Sequence, residues 1–172
     1  MRRFAHRSQP RGGNLRGFLA ALIAIGLAAL AGALFEPSER EIAGRAFAVD
    51  GDTLRIEGKT IRLKGIDAPE LHQSCRRQGR AYRCGEAARQ ALADMVADRI
   101  VECSAAGRDR YQRVLASCTV EGEDIAARLV GDGQALSYGD YRFQEARARL
   151  SGVGLWAGEF ERPQDWRQQN GR

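Results

Sequence analysis

The sequence predicts an α+β domain, a small strand barrel with helices packed on it, and three observations lead there. Runs with apolar residues at alternate positions fill 44–50, 54–58 and 59–65, which is the period of half-buried strands. From Glu86 the period lengthens: Ala88, Ala91, Leu92, Met95 and Val96 recur at three- and four-residue spacing, as on one face of a helix. Strands then return before further helical stretches. Because the strands come in hairpins and do not alternate regularly with helices, a parallel α/β sheet is excluded. At 172 residues the chain suits one domain behind a targeting segment.

That segment comes first. Residues 1–17 carry five arginines and no acid, and an uncharged apolar run of 18 residues follows, Phe18 to Phe35. These are the n-region and h-region of an export signal. The run is at the lower limit for a membrane span, and Ala31-Gly32-Ala33 offers a small-residue site to a signal peptidase. A cleaved signal and a retained anchor both stay open. In the anchor case the basic tail stays inside and the domain faces outward. Residues 36–43, EPSEREIA, read as a polar linker, 44–167 as the domain and 168–172 as a tail.

Within the domain, Leu54 and Ile56, then Ile61 and Leu63, lie on an alternating face, with Glu57-Gly58-Lys59 as the turn between them. Arg62 and Lys64 point to the opposite face. After a loop over 65–85, a helix is expected at 86–97 and strands at about 100–105 and 113–120. A second helix falls within 121–131, with Ile125, Leu129 and Val130 inward and Gly131 near its end. A last helix covers roughly 142–150, and the tail lies over the body through Trp166.

All 22 acidic residues follow position 35, together with 22 of the 27 basic ones. The domain is therefore near neutral and the net charge of +5 belongs to the leader. Bulk charge is no argument for a nucleic-acid partner here; local placement has to carry it. The four cysteines, Cys75, Cys84, Cys103 and Cys118, all lie in the exported part. An even count in an oxidising compartment reads as disulfides, with three possible pairings. The preferred pairing is Cys75–Cys84, clipping a short basic loop, and Cys103–Cys118, joining two antiparallel runs. With no CxxC pair and only His72 in the domain, a zinc site is disfavoured.

Two acid clusters flank the first hairpin: Asp50 and Asp52 before it, Asp67 and Glu70 after the strand that carries Arg62. If extended, Asp50 and Asp52 share a face. A second polar unit, GRDRYQRV, sets Arg108, Asp109, Arg110 and Arg113 around Tyr111. Carboxylates without histidine or thiolate suit a hard cation held by oxygens. Arginines beside it match phosphate oxygens, and a free carboxylate can orient water. That set describes phosphodiester hydrolysis. The competing reading makes Asp50-Gly51-Asp52 a turn and the arginines solvated surface.

The motifs decide between them. DGDT at 50–53, Arg62 followed by GIDAPE at 65–70, and DRYQR at 109–113 resemble, in order, the three signature segments of the staphylococcal nuclease (thermonuclease) family. The likeness covers roughly 44–166. It implies an OB-type barrel of five strands with three helices, and Ca²⁺-dependent hydrolysis of DNA and RNA to 3′-phosphate and 5′-hydroxyl ends. By the same resemblance Asp52 and Asp67 hold the calcium, with the Ala68 backbone carbonyl. Glu70 is the general base, and Arg62 and Arg113 hold the scissile phosphate. Asp50 and Thr53 support the metal, Asp109 sets the loop before Arg113, and Tyr111 is that loop's aromatic.

Tyr138 and Tyr141 are candidates for a base or phosphate contact, against edge-of-core aromatics. Arg76, Arg77, Arg80 and Arg83 crowd one loop as a patch that steers a polyanion, against solvated charges. Two departures stand out: Ala68 replaces threonine, and Gln112 stands where glycine is usual, in the turn that aims Arg113. The expected partners are DNA or RNA and, through 18–35, the membrane if the signal is retained. The protein is expected to act as a monomer without an obligate protein partner. The alternative to an exported nuclease is a module of the same fold that binds nucleic acid or protein at the cell envelope without turnover.

Overall fold

The computed structural model of the protein describes residues 15–34 and 41–171, in two compact units that divide between Ser38 and Glu39. The first unit contributes helix α1, Leu15–Leu34, and its residues 17–27 are exposed. Among the described residues no helix is long and apolar enough to cross a membrane. The basic segment 1–14 and Phe35 lie outside the described residues.

The second unit is a closed five-stranded barrel. Strand β1, Glu41–Ala48, pairs antiparallel with β2, Thr53–Ile56, and β2 with β3, Lys59–Leu63. On its other edge β1 pairs with β7, Ile100–Arg108, and β7 with β8, Val114–Val120. A parallel pairing of β3 with β8, Ile61 opposite Val114 and Arg62 opposite Leu115, closes the ring. The alternation expected for these runs fills the interior with Leu54, Ile56, Ile61, Leu63, Val101 and Val120. Closure removes the edges that an open sheet of this size would leave unpaired.

Strand β1 begins three residues inside the stretch expected as linker: Ile42 is buried and pairs with Cys103. The β2–β3 loop is the two residues Glu57 and Gly58, both at positive φ (47° and 77°), the conformation that matches the strand twist in a tight hairpin.

The helices cover the barrel. Helix α2, Cys84–Val96, buries Ala88, Leu92, Met95 and Val96. Helix α3, Ile125–Gly131, buries Ile125, Leu129 and Val130, and its N-cap Asp124 accepts from the Ala127 N–H. Helix α4, Arg142–Ser151, follows, capped at its C-terminus by Gly152 in the left-handed region. Beyond these three expected helices, a single 3₁₀ turn at Gly154–Ala157 leads to a fourth, α5, Pro163–Gln169. It runs past the boundary expected at 167. Proline at its first position, with φ already set, marks the start.

The loop 65–85 is also more ordered than its composition suggests. Strand β4, Ile66–Asp67, pairs with β10, Leu136–Ser137, and β5, Cys75–Arg77, forms a small hairpin with β6, Arg80–Tyr82. (Between them in the chain, β9 is the two-residue strand Glu123–Asp124 beside β8.) The Cys75–Cys84 disulfide closes this hairpin within a second small core that includes Leu136 and Leu155. The Cys103–Cys118 disulfide joins directly opposed residues of β7 and β8. Both pairings are those preferred from the sequence.

Candidate active site

The first acid cluster is a turn, not an extended pair. The Asp52 N–H donates to Asp50 Oδ1 at 3.0 Å and the Val49 N–H to the Thr53 carbonyl at 2.8 Å. Asp50 and Asp52 therefore do not share a strand face: Asp52 turns inward and is 4% exposed, while Asp50 braces the turn. Gly51 makes this approach possible, since a Cβ there would lie 2.7 Å from the Ala68 Cβ and 2.8 Å from the Ala88 Cβ.

Strand pairing sets Thr53 opposite Arg62, and the arginine reaches across to both acid clusters. Arg62 Nη1 donates to Asp52 Oδ1, and Nη2 donates to Asp67 Oδ1 at 3.2 Å. Thr53 Oγ1 donates to Asp52 Oδ1 at 3.1 Å, and the Ala68 N–H to Asp52 Oδ2 at 3.0 Å. Burial pushes the Asp52 carboxyl up to about 7, against the pull of Arg62 and the Ala68 N–H, with Asp50 and Asp67 adding to the rise. Burial alone would lower the Arg62 guanidinium, but Asp52 and Asp67 hold it above its ordinary value.

Glu70 follows at a turn of its own. Its N–H donates to Gln73 Oε1 at 3.1 Å, and its carbonyl accepts from the Gln73 N–H at 2.7 Å. Helix α2 approaches so closely that a Cβ on Gly85 would lie 1.8 Å from the Glu70 carbonyl oxygen. A residue that sequence reasoning missed completes the cluster. Arg167, on α5, donates from Nη1 to Asp67 Oδ1 and Glu70 Oε1, both at 3.0 Å, and from Nη2 to Asp67 Oδ2 at 3.1 Å. Hydrogen bonds to Asp67, opposed by burial and joined by those to Glu70, raise its pKa. Its only signal in the sequence was its place beside Trp166.

Arg113 belongs to a separate network in the β7–β8 loop. Asp109 Oδ1 accepts from the Tyr111 N–H at 2.9 Å and the Arg113 N–H at 3.0 Å, and Oδ2 accepts from Arg113 Nε at 2.7 Å. Burial would raise the Asp109 carboxyl, but these bonds hold it below the ordinary carboxylate value. Gln112 adopts φ 64°, the left-handed conformation that glycine supplies elsewhere. Its N–H donates to the Asp109 carbonyl at 3.0 Å, and its carbonyl accepts from Arg108 Nη1 at 2.7 Å. The turn is thus kept despite the side chain. The Arg110 and Arg113 guanidinium groups lie 4.8 and 5.5 Å from the centre of the exposed Tyr111 ring. Among the described residues no hydrogen bond or ion pair joins Arg113 to the Asp52–Arg62–Asp67 cluster. The parallel register nonetheless places Arg113 just before Val114, which faces Ile61 beside Arg62.

The remaining candidates divide. Tyr138 is exposed just after β10, where its N–H donates to the Gly65 carbonyl at 2.8 Å. Tyr141 donates from its hydroxyl to Asp124 Oδ2 at 2.9 Å, and burial together with that bond raises its pKa. That hydroxyl is committed to the α3 N-cap. Arg77 donates to the Gly154 carbonyl at 2.8 Å and lies over Tyr82; Arg76 reaches the Gly79 carbonyl at 3.4 Å, and Arg83 pairs with Glu86 at 2.7 Å. Arg80 is exposed on the same hairpin.

The donor set fits a hard cation. Asp52 Oδ1 and Asp67 Oδ1 each accept two hydrogen bonds, but the Oδ2 of each accepts only one set, from Ala68 and Arg167 respectively. Each carboxylate retains an acceptor position. Among the described residues no three His, Cys, Asp or Glu side chains converge as a closed cage. Asp52 and Asp67 thus supply two carboxylates of the kind that a hard cation would take as ligands.

A sequence model described as staphylococcal nuclease homologue matches residues 60–158. A succinoglycan biosynthesis protein, ExoI, of Rhizobium meliloti is 35% identical over 168 residues, 93% of this chain and 85% of that protein. An uncharacterized endonuclease of Haemophilus influenzae is 33% identical over 132 residues, 70% of this chain and 69% of its own. Protein ParB of Escherichia coli is 32% identical over 160 residues, covering 78% and 84%.

Proposed function

The chain belongs to the staphylococcal nuclease family, and from that premise we propose that it is an exported, Ca²⁺-dependent nuclease that hydrolyses phosphodiester bonds of DNA or RNA. The observation that carries this reading is the pair of buried carboxylates, Asp52 and Asp67, bridged by Arg62 with Glu70 close by. Asp52, Asp67 and the Ala68 carbonyl would hold the cation, whose chemistry is to draw charge from the phosphate oxygens. Arg62 donates to a non-bridging oxygen of the scissile phosphate, and Arg113, aimed by Asp109, donates to a second as charge grows there. Glu70 orients the attacking water and accepts its proton. The bond from phosphorus to the 5′-oxygen breaks and the departing oxygen takes a proton from solvent, so one product carries a 3′-phosphate and the other a 5′-hydroxyl.

A cavity of about 470 Å³ lies against Ser137, the register partner of Ile66, and is lined by Arg142, Arg149 and Arg162. These cations suit the backbone of the same strand, and exposed Tyr138 beside them suits a base face. Export is supported by the basic, then apolar, N-terminal segment and by two disulfides, which persist in oxidising compartments. A retained segment 18–35 would leave the protein anchored at the membrane, and we take it to act as a monomer.

The test is product analysis. Cleavage of end-labelled single-stranded DNA with Ca²⁺ is expected to give 5′-hydroxyl ends that a polynucleotide kinase labels without prior phosphatase. Products that require phosphatase first would reverse the assigned bond cleavage.

A further inference from the structure

The C-terminal segment is registered against Glu70 by three independent ties. The backbones of Arg76 and Glu159 exchange N–H to carbonyl bonds, both at 2.8 Å. Gln73 is 0% exposed and spends both ends of its amide on this joint: Oε1 accepts from the Glu70 N–H, and Nε2 donates to the Glu161 carbonyl at 2.7 Å. A buried amide satisfied at both ends fixes geometry, because shifting either partner leaves a polar group unpaired. Arg167 is the third tie, and its planar fork spans both carboxylates.

We propose that Arg167 is a positioning residue: it clasps the Glu70 carboxylate against Asp67 and so fixes the group that handles the attacking water. The proposal rests on the nuclease reading of this site. Three facts support it. Glu70 is a long side chain, 26% exposed, and an unrestrained glutamate there would sample several rotamers and be repelled by Asp67. Arg167 Nη1 divides between Asp67 and Glu70 at equal distances, so the two carboxylates are set relative to each other and not merely neutralised. The clasp also leaves an acceptor position on Asp67 Oδ2 and on Asp52 Oδ2, so it does not saturate the carboxylates assigned to the cation.

The experiment uses the full chain with disulfides formed and compares Arg167→Ala, Arg167→Gln and Arg167→Lys with the parent. Two readouts are taken: steady-state cleavage of single-stranded DNA at saturating Ca²⁺, and amide exchange in chelator. Arg167→Ala and Arg167→Gln are expected to lower kcat at least about tenfold with KM within about threefold, the signature of a lost transition-state arrangement. Arg167→Lys should recover part of this, since a point charge can hold one carboxylate but not span two. In chelator, amides of 161–169 should exchange faster in Arg167→Gln while the barrel strands stay unchanged. A parent-like kcat overturns the proposal. So does a faster one, since the guanidinium would then be a plug. A change confined to KM overturns it in favour of direct substrate contact, and unchanged exchange at 161–169 removes the clasp itself. An inactive parent overturns the nuclease reading and the proposal with it, whereas an active parent with indifferent variants overturns the proposal alone.

Discussion

Asp109→Asn separates the folding of the β7–β8 loop from the aiming of its arginine. In the parent, Oδ1 accepts two backbone N–H groups and Oδ2 accepts Arg113 Nε. Asparagine keeps an oxygen for the backbone pair but turns an NH₂ donor towards Nε, so one charge-assisted bond is lost. Such bonds contribute roughly 1.5–3 kcal/mol when buried. Here the two side chains are 28% and 16% exposed, so about 1 kcal/mol is the fitting figure. Asp109→Ala also loses both backbone bonds, for about 2–3 kcal/mol in all. At about 3–5 °C per kcal/mol for a domain of this size, melting at pH 7 should order the proteins parent, Asn, Ala. The carboxyl of Asp109 is held below its ordinary 3.8 in the fold. Its stabilisation is therefore present above that pH and is lost as pH falls through the folded pKa. The gap between parent and Asp109→Asn should accordingly narrow from pH 5 to pH 3. Cleavage of single-stranded DNA should nevertheless fall by about tenfold to a hundredfold in Asp109→Asn, because a freed guanidinium is no longer held where charge develops. A parent-like kcat in Asp109→Asn would refute the claim that this carboxylate aims Arg113, and a pH-independent gap would refute the electrostatic account of the loop.

Three other outcomes follow from the same structure. Arg62→Ala leaves Asp52 and Asp67 buried without their shared partner, so urea unfolding in chelator should show a loss of about 3–5 kcal/mol; a loss under about 1 kcal/mol would contradict the described pairing. Added Ca²⁺ should restore part of it by linkage. Gln112→Gly relieves a left-handed side-chain position worth about 1–2 kcal/mol and adds chain entropy of comparable cost. Stability should therefore stay within about 1 kcal/mol with activity retained, and a large fall in kcat would show that the glutamine itself takes part. Removing Cys75–Cys84 or Cys103–Cys118, whose separations are 9 and 15 residues, should cost a similar amount, about 2.5–3 kcal/mol on loop-closure entropy. Only loss of the first, which braces the loop after Glu70, should lower kcat in protein that remains folded; equal kinetic effects would deny that difference.

The barrel was legible because its interior is written at every second residue: Leu54, Ile56, Ile61 and Leu63 all face inward as the alternation requires. Helices α2 and α3 were legible for the corresponding reason at helical spacing. The closing parallel pair, β3 with β8, was not, since a pairing between distant segments leaves no local period. At the site, the acid clusters around Arg62 suggest phosphate chemistry and the motif resemblance singles out Asp52, Arg62, Asp67 and Glu70, which Arg62 and Arg167 join in the structure. For Asp50-Gly51-Asp52 the sequence leaves an extended pair and a turn both open, and the bond from the Asp52 N–H to Asp50 makes it a turn. The seven-residue α5 carries too few apolar positions to show a face, so Arg167 was hidden: its role depends on a contact spanning 97 residues to Glu70. Tyr141 and Tyr138 look alike in the sequence, and only their surroundings separate a hydroxyl tied to Asp124 from an exposed ring.

The most direct test of the central claim is cleavage of single-stranded DNA by the disulfide-formed protein, followed across pH 7 to 10 with Ca²⁺ and with excess chelator. Cleavage that requires Ca²⁺, stops on chelation and falls by orders of magnitude in Glu70→Gln, with unchanged folding, is the predicted result. No cleavage by the intact protein at any of these pH values would contradict it and leave a nuclease-fold module that binds without turnover.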